Sequence, residues 1–184
     1  MERNRKMRWI NVNENYLDYL RKYENRIPYS DYGTDKFKPF FGILFETDDF
    51  YYITQVSHSQ PRHEKMRQQK DFYKIYESPT SSRLIAVVNL NYMFPIPKNE
   101  IWPFEKSKID TYRTFISEKE KSKYIDLLDL EMRAINQLNL QNAASLLYKN
   151  KYLFPDAKLS QRCLDYKKLE DYAKNWAKNM IRED

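Results

Sequence analysis

The run Pro39-Phe40-Phe41-Gly42-Ile43-Leu44-Phe45 and the run Phe50-Tyr51-Tyr52-Ile53-Thr54-Gln55-Val56 read as two β-strands. Both are dense in aromatic and β-branched residues, which suit a pleated, buried surface. Thr47-Asp48-Asp49 between them is a good hairpin connection. A third run, Leu84-Ile85-Ala86-Val87-Val88-Asn89-Leu90, has the same character. These three runs predict a β-sheet in the middle of the chain.

On both sides of the sheet the apolar period becomes helical. Tyr16, Leu20 and Tyr23 stand at i, i+4 and i+7 after Asn13, a plausible N-cap, and Pro28 ends that segment. Residues 29–38 are rich in turn signals and predict an exposed loop. Beyond Pro103, Tyr124-Ile125, Leu127-Leu128, Met132, Ile135 and Leu138 recur at helical spacing, and Gln141 to Asn150 follows as a further helix. A last helix is expected from Tyr166 to Ile181, with Leu169, Tyr172, Ala173, Trp176 and Ala177 inward. The order is that of an α+β fold, one sheet with helices packed on it. With no repeat or long linker, the 184 residues are expected to form one domain over 1–184, with residues 1–8 flexible.

Composition removes several functional classes. Gly33 and Gly42 are the only glycines, so no G-x-G-x-x-G turn, P-loop or G-x-S-x-G elbow can be written. The lone Cys163 excludes an internal disulfide and a multi-cysteine zinc site, and suits a reduced thiol in the cytoplasm. No apolar run approaches the ~18 residues of a membrane span, and the charged start Met1-Glu2-Arg3-Asn4-Arg5-Lys6 has no hydrophobic region behind it. A cytoplasmic protein without membrane contact is the expectation. His58 and His63 lack H-E-x-x-H or D-x-D companions, so no metal site is expected.

The net charge of +6, from 32 basic and 26 acidic residues, suits a polyanionic partner. The segment Arg62 to Lys74 concentrates this charge: Arg62, Lys65, Arg67, Lys70 and Lys74 are interleaved with Phe72 and Tyr73 and opposed only by Glu64 and Asp71. Cations follow phosphates and aromatic faces stack on unpaired bases, so Arg62, Lys65 and Arg67 are candidate RNA contacts.

Gln55-Val56-Ser57-His58-Ser59-Gln60-Pro61-Arg62-His63 carries the candidate chemistry, because it places both histidines beside two hydroxyls and an arginine at the exit of a buried strand. Histidine titrates near neutral pH and can exchange a proton there. A loop histidine by itself is more often a surface residue than a catalyst, a lone lysine a solvated charge, and Tyr16 part of a helix's buried face. Only their conjunction singles the stretch out.

The order Asn15-Tyr16-Leu17-Asp18-Tyr19-Leu20, Arg26-Ile27-Pro28, Lys38-Pro39-Phe40-Phe41-Gly42-Ile43, the motif ending Pro61-Arg62-His63, then Val88-Asn89-Leu90-Asn91-Tyr92-Met93-Phe94-Pro95, resembles the ToxN/AbiQ toxins of type III toxin-antitoxin systems. The ending Cys163-x-x-Asp165-Tyr166-Lys167-Lys168-Leu169-Glu170-Asp171-Tyr172 shares the likeness. The resemblance implies a compact domain around a strongly twisted antiparallel sheet, similar to the Kid/MazF toxins. It also implies a metal-independent, sequence-preferring endoribonuclease without a cofactor, leaving 2′,3′-cyclic phosphate and 5′-OH ends. Such toxins are neutralised by a repeated pseudoknot RNA and act in abortive infection against phage.

The motif departs from the usual Thr-Ser-Pro-Lys: Ser57, His58, Ser59 and Gln60 stand at those four positions. Lys38 matches a basic active-site residue. Ser57, His58, Lys38 and Ser59 are thus expected to be catalytic, and Tyr16, Gln60, Arg62, His63, Lys65 and Arg67 to contact RNA. A non-catalytic RNA-binding protein with a degenerate site is the alternative, and a DNA-binding regulator is less favoured, since no recognition helix with a basic face stands out. No sustained heptad seam is present, so the protein without RNA is expected to be monomeric.

Overall fold

A computed structural model describes residues 6–33 and 36–180. Along the chain lie β1 (Arg8–Val12), α1 (Glu14–Arg21), β2 (Phe40–Glu46), β3 (Phe50–His58), α2 (Pro61–Lys65), β4 (Phe72–Tyr76), β5 (Leu84–Asn89), β6 (Phe94–Pro97), β7 (Ile101–Pro103), α3 (Ile109–Tyr112), α4 (Glu118–Ile135), α5 (Leu140–Leu153), α6 (Lys158–Arg162) and α7 (Tyr166–Met180). The strands form an antiparallel sheet in the order β4-β5-β3-β2-β1-β7, with β6 joined to β3 off that path.

Strand β3 organises this sheet. One of its edges pairs with β2; the other pairs first with β6, Phe50 to Ile53 facing Pro97 to Phe94, and then with β5, Val56 to His58 facing Val88 to Ala86. The sheet therefore divides along β3, and the strand's last three residues belong to the β4-β5 side. On β2 the register slips between Phe41 and Phe45, where four residue steps oppose the two from Thr54 to Tyr52. Gly42 lies in that irregular stretch, and a Cβ there would stand 3.1 Å from the Cγ2 of Ile53, so the strands approach closely because the residue lacks one.

Four strands escape the sequence reading for physical reasons. β1, β4 and β7 are five residues or fewer, too short for an alternation to stand out. β6 is Phe-Pro-Ile-Pro, whose prolines lack the N–H that an interior strand would need on both edges, and among the described residues it pairs with β3 alone. Of the stretch 1–8 expected to be flexible, residues 1–5 lie outside the described residues, whereas Met7 is buried and Arg8 opens β1. Ile181, the expected end of the last helix, also lies outside them.

One continuous core runs from Met7 to Ala173, and a small second cluster holds Phe72, Leu84 and Val87. Each fully buried Leu, Ile or Phe, such as Leu44, Ile53 or Phe94, contributes roughly 1.5–3 kcal/mol. Several polar side chains inside the fold are paired. The Glu170 carboxylate accepts from the hydroxyls of Tyr52 at 2.7 Å and Tyr148 at 3.0 Å, while Glu100 accepts from Asn13 and from the Trp176 indole. The α7 face expected inward is half met: Leu169 and Ala173 are buried, whereas Tyr172, Trp176 and Ala177 stay partly open. Among the described residues no helix is long and apolar enough to cross a membrane.

Helix α4 positions the site. Ser117 caps it, its hydroxyl accepting from the Glu120 N–H at 3.2 Å, and Glu120 in return accepts from the Ile116 N–H at 2.7 Å. The helix therefore begins well before Tyr124, where the apolar period first becomes visible. The Trp9 indole of β1 donates to the Leu128 carbonyl at 3.0 Å and fastens the helix to the sheet.

Candidate active site

Strand alternation and helical spacing meet in one cavity of about 560 Å³. Val56 and His58, two apart on β3, project into it from the sheet, with Trp9 beside them. Tyr124, Leu127, Leu128 and Glu131, at i, i+3, i+4 and i+7 on α4, form the opposite wall. Residues Tyr32 and Lys36 to Pro39 close a third side. The volume suits a nucleotide-sized ligand.

The loop that presents Lys38 is fastened at several points. The Gln55 side-chain amide donates to the carbonyls of Tyr29 and Lys38, both at 2.8 Å, and so ties the two ends of the loop to β3 three residues before His58. Lys38 N–H donates to Ser30 at 2.8 Å, and the Tyr124 hydroxyl donates to the Phe37 carbonyl at 2.9 Å from across the cavity. Burial holds the Tyr124 phenol up at about 12, so it stays a donor. The Lys38 ammonium rests 5.3 Å from the Tyr32 ring centre. Lys38 is thus held in place before any ligand arrives, which is what an electrostatic role requires.

His58 is open to solvent at the cavity mouth, yet the surrounding walls strip part of its water. That desolvation, and then the nearby charge of Lys38, lower its pKa below the usual histidine value. The imidazole is therefore neutral at pH 7 and able to accept a proton. Facing it, Glu131 is 4% exposed, and burial pushes its carboxyl up to about 7, against the pull of Lys38. Arg113 lies between the rings of Phe115 and Tyr124, 4.6 Å from each centre, paired with Glu120 at 3.0 Å. Among the described residues its buried Nε has no hydrogen-bond partner. Four cations, Lys36, Lys38, Arg113 and Lys123, against two carboxyls, Glu120 and Glu131, leave the cavity suited to an anion.

The other expected site residues separate from this cluster. Ser57 alternates with Val56 and His58 on the strand and is not among the residues lining the cavity. Ser59 spends its hydroxyl on the Leu84 carbonyl at 3.0 Å and holds the end of β3 to β5. Gln60 precedes α2, and its N–H donates to His63 Nδ1 at 3.1 Å. His63 is buried, and desolvation followed by the charges of Arg62 and Lys74 lowers its pKa. Its ring, expected to contact RNA, closes the first turn of α2 and is turned away from solvent.

Tyr16, also expected to contact RNA, is likewise turned inward. It is fully buried, its hydroxyl donating to the Pro95 carbonyl at 2.6 Å and its ring packed edge-on to Trp176, so its side chain is not at the surface. Arg62, Lys65 and Arg67 are exposed around α2, outside the cavity. Asp71, the acid that would offset them, is buried and paired with Arg162 at 2.9 Å. Glu131 and Arg113 were missed in the sequence. The available signal for Glu131 was a charge on the helix face defined by Tyr124, Leu127 and Leu128; Arg113 offers no comparable pattern.

Comparison with known proteins places this architecture. The sequence pattern described as toxin ToxN, type III toxin-antitoxin system, matches residues 8–174. The chain is 23% identical over 181 residues to the endoribonuclease AbiQ of Lactococcus lactis subsp. lactis, covering 94% of this chain and 90% of that one. It is also 23% identical over 97 residues to the endoribonuclease ToxN of Pectobacterium atrosepticum, a match that spans 52% of this chain and 57% of that protein. The solved structure of AbiQ, a lactococcal anti-phage endoribonuclease of a type III system, superposes with a TM-score of 0.75 at 17% identity, covering 95% of this chain and 99% of that one. A type III toxin selectively inhibited by a non-coding RNA pseudoknot gives 0.70 at 18% identity, with coverages of 94% and 99%. With the family pattern running through nearly every element from β1 to α7, the chain belongs to the ToxN family of type III toxin-antitoxin toxins.

Proposed function

We propose that the protein is a metal-independent, sequence-preferring endoribonuclease toxin. In this reading a neutral imidazole takes the 2′-hydroxyl proton, and the 2′-oxygen attacks the adjacent phosphorus. The 5′-oxygen departs, leaving a 2′,3′-cyclic phosphate and a 5′-OH. Lys38 faces the charge that develops on the phosphoryl oxygens, and Arg113 adds to it from the second wall. The observation that carries the reading is the single cavity in which a fastened Lys38 and a neutral His58 stand together. The names of the related endoribonucleases support it.

The partner that neutralises the toxin is, in this proposal, a repeated pseudoknot RNA, and the setting is cytoplasmic defence against phage by abortive infection. The RNA-free protein is a monomer. The exposed cations of α2 extend the basic surface away from the cavity and suit the longer RNA. Non-catalytic RNA binding is the competing reading, and the departure of Ser57-His58-Ser59-Gln60 from the family pattern favours it. Incubation of the purified protein with RNA in EDTA separates the two. Fragments ending in cyclic phosphate are the expected result, whereas RNA bound and left whole would overturn the enzyme.

A further inference from the structure

A buried acid on the far wall of the cavity is left over once Lys38 and His58 have their roles. Glu131 projects from α4 into the same space, and among the described residues its carboxyl makes no hydrogen bond and no ion pair. An isolated buried carboxyl costs stability, and an apolar residue would fill the Tyr124-Leu127-Leu128 face better. Its neighbours from the sheet side are Lys36, Lys38 and His58; from the α4 side and the segment before it come Lys123 and the Arg113–Glu120 pair. The remaining titratable groups are the phenols of Tyr32 and Tyr124, both raised by burial. None of these groups satisfies the acid, and its environment has the character of a functional carboxyl.

We propose that Glu131 is the second proton-transfer group of this site: it protonates the departing 5′-oxygen from the wall opposite His58. The assignment rests on the endoribonuclease reading above and completes it. One proton moves from the 2′-OH to the His58 imidazole as the 2′-O–P bond forms. A second moves from the Glu131 carboxyl to the 5′-oxygen as the P–O5′ bond breaks. The enzyme is left with an imidazolium and a carboxylate, and exchange with water resets both. No oxidant or reductant is needed.

The environment supplies the required protonation states. An ordinary glutamic acid titrates below an ordinary histidine, so a neutral base and a protonated acid would rarely coexist. Here burial lifts Glu131 to about 7, while desolvation and Lys38 lower His58, which reverses that order. Near neutral pH the productive pair, imidazole and carboxylic acid, is well populated. Cleavage should rise as His58 loses its proton and fall again as Glu131 loses its own above about pH 7.

The test uses Glu131→Gln in the full chain, with circular dichroism and RNA binding as controls. Single-turnover cleavage of an RNA oligonucleotide should fall about 100-fold in kcat with little change in KM, and the decline of rate above neutral pH should vanish. A matched oligonucleotide with sulfur in place of the bridging 5′-oxygen at the mapped cut has a leaving group that needs no proton. On it the variant should stay within about 5-fold of the parent, while His58→Ala is slow on both substrates. Equal losses on both substrates, or a variant that cleaves RNA at the parent rate with its pH profile intact, would overturn the assignment. A parent that cleaves neither substrate would instead overturn the endoribonuclease reading.

Discussion

The end of β3 and the first turn of α2 each carry one of the chain's two histidines, and the fold puts them to opposite uses. His58 stands at the mouth of a charged cavity, open to solvent and, among the described residues, with no hydrogen bond to its ring. His63, five residues later, is buried; its Nδ1 accepts the N–H of Gln60 at 3.1 Å and its Nε2 accepts from Arg62 Nε at 3.4 Å, so both ring nitrogens are engaged within α2 and its cap. Both have lowered pKa values, with burial the larger cause in each. Shifts in the same direction thus accompany unequal roles. What separates the two is whether the ring nitrogen is already spent.

The sharpest test of that contrast is cleavage by His58→Ala and Lys38→Ala beside His63→Ala. The first two should lose about 10²–10⁴-fold in rate while melting like the parent, because each removes a group from the cavity and nothing from the core. His63→Ala should stay within about 5-fold in rate. If His63→Ala lost as much as His58→Ala with its fold intact, the assignment of roles would be reversed.

A smaller effect is expected from the exposed cations around α2. Replacing Arg62, Lys65 and Arg67 with alanine should weaken RNA binding at low salt. It should also reduce the salt slope of log K by about 2, given ~0.7 per single-strand phosphate contact. The cleavage rate of bound RNA should hold, since none of the three lines the cavity. An unchanged slope measured by fluorescence anisotropy would move the RNA track elsewhere.

The smallest effect is on stability. His63→Ala removes the acceptor that closes α2 and should cost about 1 kcal/mol. The pH dependence has a definite sign. The folded pKa of His63 lies below its unfolded value of about 6.5, so its contribution is complete above that pH and is lost as pH falls toward the folded value. Denaturant melts at pH 8 and pH 5 should show a smaller acid loss in the variant than in the parent. An identical loss in both would mean that protonation of His63 does not disturb the cap.

Strands β2, β3 and β5 were legible because each is a dense run of apolar, β-branched or aromatic residues, and the helices α1, α4, α5 and α7 because their apolar faces repeat at the helical period. The order of these elements, together with local signatures such as the Lys38-Pro39-Phe40-Phe41-Gly42 run, was enough for an α+β sheet protein and for the ToxN resemblance. Lys38 and His58 could be nominated from residue type and position beside a strand end. The sequence alone did not reveal that Gln55 ties down the Lys38 loop, or that Ser57 and His58, adjacent in the chain, leave the strand on opposite faces.

Only the tertiary structure brought Glu131 and Arg113 to His58, across more than fifty residues of chain. The physical reason is that local pattern records which face of an element is apolar, while a site is made where faces of distant elements meet. Tyr16 is apolar-faced and polar-tipped in sequence, and packing against Trp176 and Pro95 decided that the tip would serve the core. Burial, and with it the proton held by an acid or a base, is a property of neighbours that sequence spacing does not contain.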